Sequence, residues 1–176
     1  MTNIKIRQGT ITDIDCIAQL YDDINDHLAV TTNYPGWRKG LYPIRENAED
    51  GIKDSSLYVA TKDAEIVGSF ILRHEPEPAY LDAKWQAELD YESVLVIYTF
   101  VVNPNYLGQR VGQEMLRFAA LYGKCTKMKA LRLDVYEKNT PAIRLYEKCG
   151  FKYIDTVSLG LEEYGLEWFK LYEQLL

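Results

Sequence analysis

The sequence is poor in sulfur and imidazole. Its three cysteines, Cys16, Cys125 and Cys149, are odd in number and form no C-x-x-C pair, which excludes a disulfide framework and a zinc knuckle. They are expected as small buried apolar side chains. The two histidines, His27 and His74, lie far apart without metal-ligand spacing, so neither a metal hydrolase nor a Cys-His nucleophile is supported and no metal is expected. Phosphate-binding signatures are also missing. There is no Gly-x-x-x-x-Gly-Lys-Ser/Thr, and no Gly-x-Gly-x-x-Gly follows a strand. The longest apolar run, "VLVIYTFVV", is too short to cross a bilayer as a helix, and "MTNIKIRQGTITDIDCIAQL" has no continuous apolar stretch of the kind that directs secretion. A cytoplasmic protein without membrane association is expected. An excess of basic residues is lacking too: 20 Lys and Arg face 26 Asp and Glu, a net charge of -6. That balance disfavours nucleic acid and anionic membranes as partners and suits a cationic or neutral substrate.

What is present is enough for one core. The chain has 176 residues, 47% of them hydrophobic, and no repeat or Pro/Gly/Ser-rich linker, so a single domain over residues 1–176 is expected. "IKIRQ" reads as a first strand. Thr10 with Asp13 three residues later resembles a capping box, and Ile17, Leu20, Tyr21, Ile24 and Leu28 then keep helical spacing to about residue 28. A short polar helix over 44–54 precedes two strands around a Lys-Asp turn in "LYVATKDAEIVGSFILR". "EPEPAYLDAKWQAELDYES" has no clear period, and "VLVIYTFVV" after it reads as a buried strand. Val111, Met115, Phe118, Ala119 and Tyr122 share one helical face, and Leu131, Leu133 and Val135 alternate with Arg132, Asp134 and Tyr136 along a strand. In "NTPAIRLYEKCGF", Thr140 can cap, Pro141 fits the first turn and Gly150 fits the stop. Strands near 151–158 and 167–174 complete a mixed α/β (α+β) sheet.

The most informative stretch is "VVNPNYLGQRVGQEML", residues 101–116, which leaves a strand, passes Gly108 and Gly112 and enters a helix. Unpaired N–H groups and the positive end of the helix dipole make such a turn a natural anion site. Followed by "LRLDVYEKNTPAIRLYEKCGF", this stretch resembles the GNAT superfamily of N-acetyltransferases. An Asn, a short capped helix, a Leu-Tyr-Glu-Lys run and Gly-Phe recur there after a strand at the family's spacing, and the order of elements agrees from about Ile4 to Tyr172.

The resemblance implies an acyl-CoA N-acyltransferase fold with a mixed sheet of six to seven strands and about four helices. It implies a fourth and a fifth strand that part to admit the pantetheine arm of acetyl-CoA, with backbone groups of Phe100, Val101 and Val102 pairing with it. The pyrophosphate would rest on Leu107, Gly108, Gln109, Arg110, Val111, Gly112 and Gln113, and Asn139, Ala142 and Tyr146 would also contact the co-substrate. The family pattern begins with Gln or Arg and has a Gly three residues later; Leu107 and Arg110 stand at those positions. We expect Arg110 to adopt ordinary helical backbone, since a left-handed one would require a distorted turn. Residues 103–132 carry Arg110, Arg117, Lys124, Lys127, Lys129 and Arg132 against the single acid Glu114, a basic patch suited to CoA, with Arg117 and Lys127 expected on a solvated face.

Tyr146 matches the family's tyrosine near the thioester sulfur, where a phenol can protonate the leaving thiolate, although Ala142, Tyr146 and Cys149 also share a helical face that a core would use. Asp134 lies where members that acetylate protein N-termini carry a base-like glutamate; it is either a general base acting through water or a solvated strand aspartate. Asn139 either contacts CoA or forms the local turn. Trp37, Tyr42, Trp85 and Tyr98 are the candidate acceptor-binding residues; the resemblance implies that loops carrying Tyr80, Tyr91 and Tyr164 as well set substrate choice, and these aromatics either cradle a cationic amine, with acids such as Glu75, Glu77 and Asp90, or serve packing alone. The acceptor is a small-molecule or peptide amine. The alternative is a non-catalytic CoA-binding module of the same fold, which the departures at Leu107 and Arg110 favour. A homodimer, frequent among relatives, stays open.

Overall fold

A computed structural model describes residues 3–176. Seven strands, β1 (Ile4–Gln8), β2 (Leu57–Lys62), β3 (Glu65–Arg73), β4 (Val94–Val102), β5 (Ala130–Tyr136), β6 (Lys152–Val157) and β7 (Phe169–Leu175), form a mixed sheet in the order β1-β2-β3-β4-β5-β7-β6. The four helices among the described residues are α1 (Ile14–Val30), α2 (Arg45–Lys53), α3 (Val111–Cys125) and α4 (Thr140–Lys148). The chain divides into two compact units, one made of residues up to Asn33, Trp37–Leu72 and Tyr98–Phe118, the other of Tyr34–Gly36, Arg73–Ile97 and Ala119–Leu176.

In the first unit the Thr10 N–H donates to Asp13 Oδ2 at 2.8 Å, fixing the entry into α1 through one turn of tighter helix. The face predicted from spacing is the buried one: Ile17, Leu20, Tyr21, Ile24 and Leu28 join Ala48, Leu57, Val59, Ile71 and Val101 in one core cluster. Each such apolar side chain contributes about 1.5–3 kcal/mol by leaving water. β1 pairs antiparallel with β2, and β2 with β3. The Lys-Asp turn of that hairpin puts Asp63 and Ala64 at φ 50° and 68°, which gives the twist that antiparallel strands require. On β3, a Cβ at Gly68 would stand 2.7 Å from Met115 Sδ and 3.0 Å from the Val101 carbonyl, so glycine lets α3 and β4 pack directly on that strand.

In the second unit β4 and β5 form a short parallel ladder of Val94–Ala130, Leu95–Leu131 and Val96–Arg132. β4 continues to Val102 and β5 to Tyr136, consistent with the expected parting of these strands. β7 lies antiparallel to both β5 and β6. β5 is covered on both faces. Leu131, Leu133 and Val135 are buried on one, and Arg132, only 1% exposed, lies on the other beneath the segment of residues 74–93 that has no sequence period. Arg132 Nε meets Glu173 Oε2 at 2.8 Å, an ion pair between register partners, and its guanidinium packs over Trp85 and Tyr91, 4.2 and 5.1 Å from their ring centres. Arg132 therefore does not belong to the basic patch expected around the turn. Buried charge needs a partner, and Glu173 supplies it.

Two smaller expectations are corrected. Asn139, not Thr140, caps α4: its Oδ1 accepts from the Ala142 N–H at 3.4 Å, so the helix starts one residue earlier. Cys16 and Cys125 are exposed because each falls beside, rather than on, the apolar stripe of its helix, and Cys149 is half-buried just past the end of α4.

Candidate active site

The glycine turn is built from the first unit's own residues. The Asn103 N–H donates to the Val67 carbonyl at 2.9 Å and its Oδ1 accepts from the Asn105 N–H at 2.9 Å, which ends β4 and starts the turn. Lys62 Nζ donates to Gln109 Oε1 at 2.8 Å, Gln109 Nε2 donates to the Asn105 carbonyl at 3.2 Å, and the Tyr106 hydroxyl donates to Glu65 Oε2 at 2.7 Å. Glu65 beside it pushes the Tyr106 phenol above its ordinary range. So braced, the turn leaves the N–H groups of Gly108, Arg110, Val111, Gly112 and Gln113 with no backbone acceptor among the described residues. Leu107, Gly108, Gln109 and Arg110 are exposed, whereas Val111 and Gly112 are buried where α3 begins.

Arg110 corrects the sequence reading. Its φ is 67°, left-handed, like that of Gly108 at 77°. The cause is geometric: the chain reverses within a few residues before the Arg110 carbonyl accepts the Glu114 N–H at 3.0 Å and starts the helix. A non-glycine residue bears about 1–2 kcal/mol of strain there. Arg117 and Lys127 are exposed, as expected of a solvated face, and Arg117 lies 3.8 Å from Glu114.

A second backbone outlier was not legible in sequence. Thr99, in the middle of β4, has φ 48° and is 8% exposed, an unusual state for a β-branched residue. Its Oγ1 shares a hydrogen bond of 2.8 Å with the Tyr42 hydroxyl, and Trp37 packs edge-on against Tyr42 at 5.6 Å. Trp37 and Tyr98 are half-buried against the core cluster. Three of the four acceptor candidates, Trp37, Tyr42 and Tyr98, thus belong to this unit, along with Phe100, Val101 and Val102. A single threonine inside "VLVIYTFVV" is the one sequence sign of the interruption.

The second unit holds Asp134, Asn139, Ala142, Tyr146 and Trp85. Tyr146 is 6% exposed and packs against Phe151 at 5.9 Å. Asn139 Oδ1 is committed to the Ala142 N–H. Trp85 donates through Nε1 to the Tyr80 carbonyl at 2.8 Å and lines, with Tyr80, Tyr91 and Arg132, a cleft of about 640 Å³. Asp134 is not a solvated strand aspartate. Its Oδ2 accepts from the Tyr80 hydroxyl at 2.6 Å, and Tyr80 is fully buried. Burial raises the Asp134 carboxyl to about 6, the Tyr80 bond pulls against that rise, and the charge of Glu77 adds to it. A carboxylate that titrates near neutrality is suited to taking and releasing a proton. Among the described residues no group of three or more His, Cys, Asp or Glu is placed to hold a metal ion, and no helix is long and apolar enough to cross a membrane.

Residues 20–151 match the model of the Acetyltransferase (GNAT) family. The chain belongs to the GNAT family. It is 28% identical over 103 residues to streptothricin acetyltransferase of Escherichia coli, a match that takes in 58% of this chain and 51% of that protein. It is 26% identical over 112 residues to mycothiol acetyltransferase of Acidothermus cellulolyticus, covering 64% of this chain and 34% of that protein. The matched region thus spans about half or less of these curated relatives. A GNAT-family acetyltransferase structure from Streptococcus agalactiae superposes with a TM-score of 0.79 at 19% identity, over 98% of this chain and 95% of that one, which shows the shared fold. In this GNAT chain Arg110 itself holds left-handed backbone.

Proposed function

We propose that this GNAT protein is, as a single catalytic domain, an acetyl-CoA-dependent N-acetyltransferase acting on a primary amine of a small molecule or a peptide N-terminus. The observation that carries this reading is the turn before α3: five backbone N–H groups without a backbone acceptor, beside an exposed Arg110, form a donor set that fits a pyrophosphate. Charge-assisted bonds of this kind contribute about 1.5–3 kcal/mol each before desolvation is subtracted. Bound acetyl-CoA supplies an activated acetyl thioester. Phe100, Val101 and Val102 offer backbone groups to the pantetheine arm, with Asn139 and Ala142 as further contacts.

The acceptor arrives as an ammonium ion, and Asp134 takes its proton so that the amine lone pair is free to attack. The Tyr146 hydroxyl gives a proton to the departing thiolate of CoA. A carboxyl near 6 is ionised at pH 7 yet basic enough to hold the proton briefly. Trp37, Tyr42, Trp85 and Tyr98 are the residues assigned to acceptor binding. The curated relatives are named for streptothricin and mycothiol, which supports a small-molecule acceptor over a peptide. The Asp134 carboxyl, held by Tyr80 and raised to about 6, supports an enzyme over a non-catalytic CoA-binding module. A thermal-shift titration with acetyl-CoA tests the reading. Ligand at 100 times its dissociation constant stabilises the folded state by about 2.7 kcal/mol. A concentration-dependent rise is expected, and no rise at millimolar acetyl-CoA removes the basis of the proposal.

A further inference from the structure

The segment between β3 and β4 lacks a sequence period, yet it reaches the chemistry-bearing face of β5 through one specific side chain. Tyr80, 0% exposed, donates its hydroxyl to Asp134 Oδ2 at 2.6 Å. No hydrogen bond from a described residue reaches Asp134 Oδ1, and Asp134 keeps partial exposure. One carboxylate oxygen is anchored and the other is available.

Tyr80 is itself fixed from two sides. It starts from a short helical turn opened by Pro78, with its N–H donating to the Glu77 carbonyl at 2.9 Å. Its carbonyl accepts from Trp85 Nε1 at 2.8 Å, and its ring packs against Trp85 at 5.4 Å. Trp85 in turn lies under the Arg132 guanidinium, whose charge is matched by Glu173 on β7. Gln86 N–H donates to the same Glu173 carboxylate at 2.8 Å, so two strands hold the segment that presents the phenol. The titratable groups around Asp134 are Tyr80 and Glu77 from this segment, Arg132 and Tyr136 two residues either side on β5, and Glu173 on β7. Among the described residues only Tyr80 hydrogen-bonds the carboxylate.

We propose that Tyr80 is the positioning residue for the base: it pins Asp134 Oδ2 and leaves Oδ1 to accept the proton of the acceptor ammonium. In this step the ammonium N–H bond breaks, its electron pair stays on nitrogen and an O–H bond forms at Oδ1; the carboxyl then returns the proton to water. The inference rests on the role assigned to Asp134 above. It adds a residue that the family motifs do not contain, and it gives the irregular segment a purpose beyond covering β5.

The test follows the Asp134 carboxyl directly, without the acceptor. Aspartate labelled with carbon-13 at the carboxyl is titrated by NMR in the intact protein, with Asp134→Asn identifying the resonance. The wild-type signal should titrate near 6. In Tyr80→Phe, which removes one oxygen, the carboxylate loses its donor and the midpoint should move upward. Fluorotyrosine placed at position 80 alone, a stronger donor of nearly the same shape, should move it downward, and this substitution keeps the test decisive if Tyr80→Phe fails to fold. An unchanged midpoint in a folded Tyr80→Phe, or with fluorotyrosine where the first does not fold, overturns the proposal. Thiol release from acetyl-CoA with spermidine, L-lysine, an aminoglycoside and a short peptide is then measured against pH. If Asp134→Asn keeps the wild-type acid limb, the base reading fails and the Tyr80 role with it. If Asp134→Asn loses the limb but Tyr80→Phe does not shift it, the base stands and the positioning role alone is refuted.

Discussion

Arg110→Gly should stabilise the free protein and weaken its hold on acetyl-CoA, two effects of opposite sign from one substitution. Arg110 has φ 67° and is exposed, so no packing is lost with its side chain. Glycine removes about 1–2 kcal/mol of left-handed strain and adds about 0.5–1 kcal/mol of unfolded-state entropy, a net gain of about 0.5–1 kcal/mol. For a chain of 176 residues that amounts to a Tm increase of about 1–4 °C. The lost guanidinium contact to phosphate costs about 1.5 kcal/mol, the low end of the charged range because the site is exposed, or about tenfold in Kd. Arg110→Ala keeps the strained backbone and loses the same contact, so its affinity should fall without any gain in Tm. Differential scanning calorimetry and isothermal titration with acetyl-CoA measure both quantities. Wild-type affinity in Arg110→Gly would refute the phosphate contact, and a lower Tm would refute the strain.

Tyr146→Phe should lower kcat at least tenfold while leaving acetyl-CoA affinity within twofold, and an unaltered kcat disposes of its role as acid. Asp13 is gripped by both terminal nitrogens of Arg7, at 2.7 and 2.8 Å, which holds its carboxyl at about 2. Because this value lies below the usual carboxylate range, the stabilisation is present above about pH 4 and is lost as pH falls through 2. After discounting for the half-exposed Arg7, Asp13→Asn should cost about 1 kcal/mol in urea unfolding at pH 7 and little near pH 2; equal stability at pH 7 would contradict this. Glu173→Gln leaves the Arg132 charge buried without its partner and should cost about 3–5 kcal/mol in the same assay, whereas replacing both by Met and Leu should be close to neutral. A small loss in the single variant would show that the pair is not what fixes the segment over β5.

The first helix, the hairpin and the strand-turn-helix were legible because periodicity and turn chemistry act locally. Ile17, Leu20 and Ile24 announce a buried stripe, and Pro141 and Gly150 announce the bounds of a short helix, although its cap is Asn139 and not Thr140. What sequence could not supply was anything decided by distant packing. Asp134 alternates with core leucines and looks solvated until a tyrosine 54 residues away covers it. Arg132 reads as one more surface cation, yet Glu173 and Trp85 bury it. Arg110 reads as helical because a left-handed arginine is strained, and the turn geometry overrides that preference. Thr99 carried even less warning, since one threonine among apolar strand formers does not announce left-handed backbone.

The most direct measurement is mass spectrometric detection of an acetylated amine after incubation with acetyl-CoA and the four-member acceptor panel, with Asp134→Asn and Tyr146→Phe as controls. An acetylated product formed in equal amount with free CoA, and reduced in both variants, is the expected result. Saturable binding of acetyl-CoA with no acceptor acetylated would contradict an enzymatic role and leave a CoA-binding module.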